Sequence, residues 1–342
     1  MSWTVVPARE FARHAERWHA LHAAGPASPL LAADFVLPLL EVFGTGEEVL
    51  AWHAHDRVPT KMAVLAPAGP GIWQTFQPSQ APIGLWLQRD TGAPDTGLPG
   101  LLRALPGTAL MVGLTQCDPM LAARPQARAG LSTVDYIDTA RITLDRSFEA
   151  YWDARGKNLR ANLKKQRNRL RQEGVATRLE VLRAPQQMAG AVADYGRLES
   201  TGWKADGGTA VAASNEQGRF YGAMLEAFCR RDAAAVYRYW LGDQLAAMDL
   251  CVEGEHEIVV LKTAYDESLA RQLSPALLMR EEACRSLFEE GRFERIEFYG
   301  RAMEWHLRWT DEVRTMYHLN AYRWGLLGHL HALARPRGGQ RN

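Results

Sequence analysis

Lys262-Thr263-Ala264-Tyr265-Asp266-Glu267-Ser268-Leu269-Ala270-Arg271-Gln272-Leu273-Ser274-Pro275-Ala276-Leu277-Leu278-Met279 is the stretch on which the fold turns. It follows the apolar run Ile258-Val259-Val260-Leu261, which reads as a buried strand. It leads into an amphipathic helix from Pro275 to about Glu290, with Ser-Pro at its start. A polar loop between a buried strand and a helix start suits a phosphate, because helix N-terminal amides and the positive end of the dipole face it. Arg271 adds a formal charge to that loop.

Working outward, the chain has 342 residues, enough for two domains of ordinary size. Its hydrophobic content of 47% allows a sizeable core and argues against disorder. Forty basic and 39 acidic residues nearly cancel, so global charge selects no partner. The four cysteines, Cys117, Cys229, Cys251 and Cys284, show no CxxC or paired-histidine spacing. That pattern predicts reduced thiols in a cytoplasmic protein, with neither a disulfide framework nor a metal site. The N-terminus lacks signal-peptide organisation, and no uncharged apolar stretch approaches membrane-spanning length. The expectation is a cytoplasmic protein without a transmembrane segment, peripheral to the inner membrane if it serves a membrane-bound pathway.

The second half is the easier to parse. A strand at Thr177–Leu182 precedes helices at Gln186–Glu199 and Gly218–Arg231. Strands at 235–241, 245–252 and 257–263 follow, separated by Gly242-Asp243 and Gly254-Glu255, which is hairpin chemistry. The Pro275 helix, a strand at Arg295–Tyr299 and one or two strands within 313–324 complete the half, with a short closing helix at 326–333. The first half repeats this order of elements without a residue-level repeat. The segments 67–82 and 88–99, rich in Pro and Gly, read as loops, the first offering Trp73, Phe76 and Gln77 to a cleft or to ordinary packing.

Between the halves, Phe148–Glu173 reads as a long helix, broken at Gly156 and capped by Gly174. Leu159, Leu163 and Leu170 form its apolar stripe. From Arg155 to Arg171 it carries eight basic residues and no acid. Three readings stay open: a solvated face, a surface for an anionic substrate such as a nucleotide-sugar or lipid-linked phosphate, and a tRNA backbone contact.

The second half resembles the CelD-type branch of the GNAT acyltransferases, found with cellulose and exopolysaccharide biosynthesis. The resemblance rests on Asn158-Leu159-Arg160 through Leu170, Leu198-Glu199 through Gly202-Trp203-Lys204, and Gly208-Thr209-Ala210, then on Lys262–Asp266, Ser274-Pro275, and Phe298-Tyr299-Gly300 followed by Trp309. The whole plan is similar to the Fem-type peptidyltransferases, which carry two GNAT-like folds in tandem. The implied architecture is α/β (α+β), two tandem GNAT-like domains, each a mixed central sheet flanked by helices. Boundaries are expected at 1–146 for the first domain, 147–175 for the basic connecting helix and 176–342 for the second.

The resemblance also implies acetyl-CoA or another acyl-CoA as donor, with no metal. By position, Arg271, Gln272, Ser274, Ala276 and Leu277 would hold the donor, with Ala276 where many members have Gly. Direct attack of an amine or hydroxyl on a thioester requires a base, an oxyanion donor and an acid for the departing thiolate. Tyr265 is the candidate acid, Asp266 a base or base-orienting group, and His306 a second base in the Trp305-His306 pair that replaces the family's Tyr-Lys. Trp203, Lys204, Lys262, Trp305 and Arg308 are candidates for the acceptor side. Each also has a structural reading: Tyr265 as a strand end, Asp266 as the start of a turn, Trp203 as core, the two lysines as exposed charges. The leading expectation is an acyl-CoA-dependent N- or O-acyltransferase, in the first instance an acetyltransferase, acting on a sugar, nucleotide-sugar or lipid-linked glycan. The alternatives are Fem-like aminoacyl transfer from charged tRNA, and a non-catalytic scaffold within polysaccharide synthesis machinery.

Overall fold

The computed structural model describes residues 2–56, 58–200, 211–212, 214–269 and 273–328. In chain order the elements are β1 (Trp3–Pro7), α1 (Phe11–Ala24), α2 (Ala33–Phe43), β2 (Val49–His55), β3 (Val58–Gly69), β4 (Ile72–Thr75), β5 (Trp86–Gln88), α3 (Leu98–Ala104), β6 (Met111–Cys117) and β7 (Leu131–Thr143). They continue with α4 (Phe148–Asp153), α5 (Lys157–Gln172), β8 (Thr177–Leu182), α6 (Met188–Ser200), α7 (Glu216–Cys229), β9 (Ala234–Leu241), β10 (Gln244–Glu253) and β11 (Glu257–Tyr265). The last are α8 (Pro275–Glu290), β12 (Arg295–Phe298), α9 (Glu304–Leu307) and β13 (Val313–Tyr322).

The chain divides into two compact units, Met1–Asp138 with Arg314–Asn342, and Thr139–Val313. This division differs from the boundaries expected above in three respects. The first segment ends at Asp138 rather than at 146, so the end of β7 belongs to the second unit. The basic helix α5 lies inside the second unit, and β13 groups with the first, where it pairs antiparallel with β6 from Tyr317↔Cys117 to Tyr322↔Met111.

In unit 1 the strand order is β1-β2-β3-β4-β6-β13, with β5 also paired to β3. The β4–β6 pair is parallel and the other pairs are antiparallel, so the sheet is mixed. Trp3, Trp86, Leu101, Leu114 and Leu319 share one core cluster. The segment 67–82, expected to be loop, contains β4. Only four residues long and flanked by Gly71 and Pro78, it shows too little alternation to be recognised. Trp73 and Phe76 are buried in packing, which removes them as cleft residues.

In unit 2 the order is β8-β9-β10-β11-β12-β7, again with one parallel pair, β11–β12. Each unit is therefore a mixed sheet flanked by helices, and a strand, two helices, a run of strands, a helix and a strand follow in that order in both, the run being β2–β5 in unit 1 and β9–β11 in unit 2. Local chemistry sets the boundaries. The Asn215 side chain caps α7 by accepting the Gly218 amide at 2.9 Å. Gly242, at φ +58°, opens the two-residue turn between β9 and β10. Gly174, at φ +68°, ends α5, where the Val175 amide reaches back to the Leu170 carbonyl at 2.9 Å. The helix expected over 148–173 is two helices, because Ser147 starts α4 through the Ala150 amide and Gly156 restarts the chain as α5. Leu159, Leu163 and Leu170 of α5 join the core with Ile258, Leu278, Leu287 and Trp309. All four cysteines are buried, unpaired thiols. Among the described residues no helix is long and apolar enough to cross a membrane, and no group of His, Cys, Asp and Glu is placed to hold a metal.

Candidate functional site

The parallel ladder between β11 and β12 is short. It runs from Glu257↔Arg295 to Val259↔Glu297, while β11 continues to Tyr265. A cleft beyond the carboxyl end of a parallel pair is where open α/β sheets take ligands. A bulge shapes the continuing strand: Leu250 pairs with Lys262 and Cys251 with Val260, leaving Leu261 as the extra residue. Before the bulge, Ile258 and Val260 pack on the α8 side. After it the alternation resets, and Thr263 and Tyr265 take that side.

Thr263 and Tyr265 line a cavity of about 350 Å³ with Leu273–Leu277 at the start of α8, Arg280 one turn further on, and Trp305 and Trp309. Five sequence candidates, Tyr265, Ser274, Ala276, Leu277 and Trp305, meet here. Tyr265 is 39% exposed, the accessibility a reacting group needs.

The start of α8 is held from two directions. The Ser274 amide donates to Oε1 of Gln166 on α5 at 2.7 Å, and the Leu273 amide to the Leu269 carbonyl at 3.0 Å. The Leu277 and Leu278 amides both reach the Ser274 carbonyl, and Pro275 has no N–H. Several donors that the sequence offers to an anion are thus already committed. Arg271 and Gln272 lie outside the described residues, as do Trp203 and Lys204.

Asp266 does not stand open as a base. Its Oδ1 accepts the Ser268 amide at 2.9 Å and the Ser268 hydroxyl at 2.6 Å, and Oδ2 accepts from Gln244 Nε2 at 2.8 Å. Burial would raise its pKa, but these bonds and the Leu269 amide outweigh burial and hold the carboxyl below its ordinary value. It caps the turn after β11. His306 is likewise committed. Nδ1 accepts the Met303 amide at 3.0 Å, which puts the proton of the neutral ring on Nε2. Burial, then the Arg280 charge, lowers its pKa to about 4. Its ring stacks on Trp305 at 3.5 Å and so supports a cavity wall.

Lys262 points away from the cavity. The bulge turns it to the opposite face of the sheet, where Nζ sits 5.8 Å from the Tyr221 ring of α7. Arg308 pairs with Glu304 at 2.8 Å and lines a separate polar groove with Asn158, Asn162 and Asp311. Helix α9 presents Trp305 to the cavity and Glu304 and Leu307 to that groove.

Two residues missed in the sequence bear on the cavity: Arg280 lines it, and Asp249 pairs with Arg280. Arg280 is buried, with Nη1 2.7 Å from Asp249 Oδ2, and Nη2 3.0 Å from Asp249 Oδ1 and 3.2 Å from Thr263 Oγ1. The guanidinium lies 5.1 Å from the Phe298 ring centre. The available signal was a lone Asp inside the apolar run 246–252 and a lone Arg on the apolar face of α8.

Among the described residues, four of the eight basic residues at 155–171 have an acidic partner. Arg167 pairs with Glu281 and Glu282, Arg169 with Glu173, Arg160 with Asp153, and Arg155 with Asp311. Lys157, Lys164 and Lys165 have no acidic partner among the described residues, and the first two line a shallow groove with Arg160, Arg171 and Trp152.

The parallel pair thus ends over the start of a helix, with the bulged strand as one wall of the cavity. Residues 157–307, inside unit 2, match the family model for an acetyltransferase (GNAT) domain. No curated protein matches the sequence. Among solved structures the chain is similar to FemX, at 9% identity and TM-score 0.60, over 98% of this chain and 100% of that one. It is similar to the C-terminal domain, DUF2156, described as that of a lysylphosphatidylglycerol synthetase from Agrobacterium fabrum, at 13% identity and TM-score 0.54, over 96% and 99% of the two chains. A conserved protein of unknown function from Bacteroides thetaiotaomicron also matches, at 10% identity and TM-score 0.54, over 90% and 97%. At these identities the likeness is one of fold, and it spans both units.

Proposed function

We propose that the protein is an acyl-CoA-dependent N- or O-acyltransferase whose donor occupies the cavity of unit 2. One observation carries this: β11 and β12 part after Val259, and the space beyond them is walled by Tyr265 and the first turns of α8. The donor phosphates would lie at the start of α8, with the thioester beside Tyr265. The acceptor amine or hydroxyl attacks the carbonyl carbon, and its proton passes to solvent. As the C–S bond breaks, the Tyr265 hydroxyl gives its proton to the departing sulfur and recovers one from water. Asp266 and His306 act in this scheme through structure: Asp266 holds the turn through Ser268 and Gln244, and the Met303 amide takes the ring lone pair of His306.

The acceptor is a sugar, nucleotide-sugar or lipid-linked glycan of exopolysaccharide or envelope synthesis. This finer assignment is supported by the CelD-type motifs and by the polar groove of Asn158, Asn162, Glu304, Arg308 and Asp311, side chains that hydrogen-bond hydroxyls. The test is acyl transfer from acetyl-CoA and longer acyl-CoAs to a panel of such acceptors, with Tyr265→Phe alongside. The expected result is turnover that falls about 10²-fold or more in the variant, with donor affinity little changed.

A second reading, aminoacyl transfer from charged tRNA, is favoured by Lys157 and Lys164 in the shallow groove and by Lys165, none of which has an acidic partner among the described residues. It requires RNA binding that weakens steeply with salt and is lost on neutralising these lysines. Binding of neither donor, with a stable protein partner, would instead indicate a scaffold.

A further inference from the structure

Among the described ion pairs none is more buried than Asp249–Arg280, whose side chains are 0% and 5% exposed. Such a pair is a poor stability device, since apolar residues of similar volume often fold as well or better. Its position suggests a different use. The remaining walls of the cavity are mostly apolar, and Arg280 brings to them a guanidinium of five N–H donors. The contacts to Asp249 and Thr263 engage Nη1 and Nη2, and none reaches Nε. Trp309, also lining the cavity, has a buried Nε1–H that meets no acceptor. Two residues that line the cavity thus each keep an N–H without an acceptor among the described residues.

The acceptor they suit is uncharged. Asp249 already balances the guanidinium, and the other side chains lining the cavity are neutral. An incoming carboxylate would lose its water for an attraction that Asp249 opposes. Location narrows the choice further. On β11, Thr263 lies two residues inward of Tyr265 on the same side, about 6.6 Å along the strand. On α8, Arg280 lies one turn inward of Ala276. With the thioester beside Tyr265, this inner end receives the acyl chain.

We propose that Arg280, held by Asp249, together with Trp309, selects a short acyl group bearing a hydroxyl or oxo oxygen beyond its thioester carbonyl, over both a plain alkyl chain and a carboxylate. The proposal rests on the acyl-CoA reading above. It is tested by calorimetric titration of the full chain with acetyl-, butyryl-, 3-hydroxybutyryl- and malonyl-CoA. The same series is run on Asp249→Leu/Arg280→Met, which removes both charges, and on Trp309→Phe.

The wild type should bind 3-hydroxybutyryl-CoA about tenfold or more tighter than butyryl-CoA, the increment of a hydrogen bond to a charged donor. The double variant should lose that preference, binding the two four-carbon donors within about threefold of each other. Trp309→Phe should reduce the preference several-fold. Equal binding of the two four-carbon donors, tighter binding of malonyl-CoA, or a preference that survives the double variant would overturn the proposal and leave the acyl-CoA reading standing. If the double variant does not fold, the wild-type comparison and Trp309→Phe decide. Binding of no CoA thioester would overturn both readings together.

Discussion

The Ser274 amide donates to Gln166 Oε1 at 2.7 Å, so the start of α8 is tied to the middle of the basic helix α5. Gln166 is buried among the leucines of α5, and its amide nitrogen lies 3.4 Å from the Ser274 hydroxyl. The tether fixes the rim of the cavity from behind. Gln166→Leu should lower stability by about 1–2 kcal/mol, the cost of a buried amide left unpaired. It should also weaken acyl-CoA binding several-fold by loosening the rim. Chemical denaturation and calorimetry on the same protein separate the two effects.

Removing one member of the Asp249–Arg280 pair leaves the other charge buried. Asp249→Asn and Arg280→Met should each cost about 3–5 kcal/mol, and the double variant Asp249→Leu/Arg280→Met distinctly less than their sum. A double-mutant cycle from urea unfolding gives the coupling. Additive losses would show that the two side chains do not act as a pair.

Asp266 makes a pH-dependent contribution of a definite sign. Its folded pKa is depressed, chiefly because the Ser268 and Gln244 bonds prevail over burial. The stabilisation is therefore complete above the unfolded value of about 3.9 and is lost as pH falls through the lower folded value. Asp266→Ala should cost about 1 kcal/mol at neutral pH, as loss of a cap does, with the gap to wild type closing below about pH 4. In the proposed scheme Asp266 is not the base, so the pH dependence of kcat/KM should keep its midpoints in the variant. A displaced midpoint would restore a direct role.

His306 acts over a different range. Its pKa is lowered to about 4 by burial and then by Arg280, so the fold favours the neutral ring. Between about 6.5 and 4 the unfolded chain takes up a proton that the folded chain resists, and stability falls with pH by up to about 3 kcal/mol. His306→Gln should remove this acid sensitivity while leaving stability near pH 8 less affected. Thermal unfolding from pH 4.5 to 8 measures it.

The elements nearest the cavity were legible because their signals are local. Ser274-Pro275 marks the start of α8, the run 258–261 marks a buried strand, and Gly242-Asp243 marks a hairpin. What the sequence hid depends on register and long-range pairing. One extra residue at Leu261 sends Lys262 to one face and Thr263 to the other, and no residue type announces a bulge. Asp266 resembles a base in sequence, yet it becomes a cap because Gln244, 22 positions earlier, arrives beside it. Asp249 and Arg280 lie 31 positions apart, each a solitary charge in an apolar pattern, and only packing α8 on β10 brings them together. The exchange of β13 into unit 1 depends on pairing with β6, about two hundred residues earlier, which no local window contains.

The central claim is that the cavity between β11 and the start of α8 holds an acyl-CoA. Ala276 lines it without being fully buried, so Ala276→Phe would place a ring in the donor's path with little strain on the helix. Calorimetric titration with acetyl-CoA and longer acyl-CoAs, wild type beside variant, tests the claim directly. The account predicts saturable binding to the wild type that weakens about tenfold or more in a variant whose circular dichroism and unfolding midpoint are unchanged. No binding to the wild type, or equal affinity for the two proteins, would contradict it.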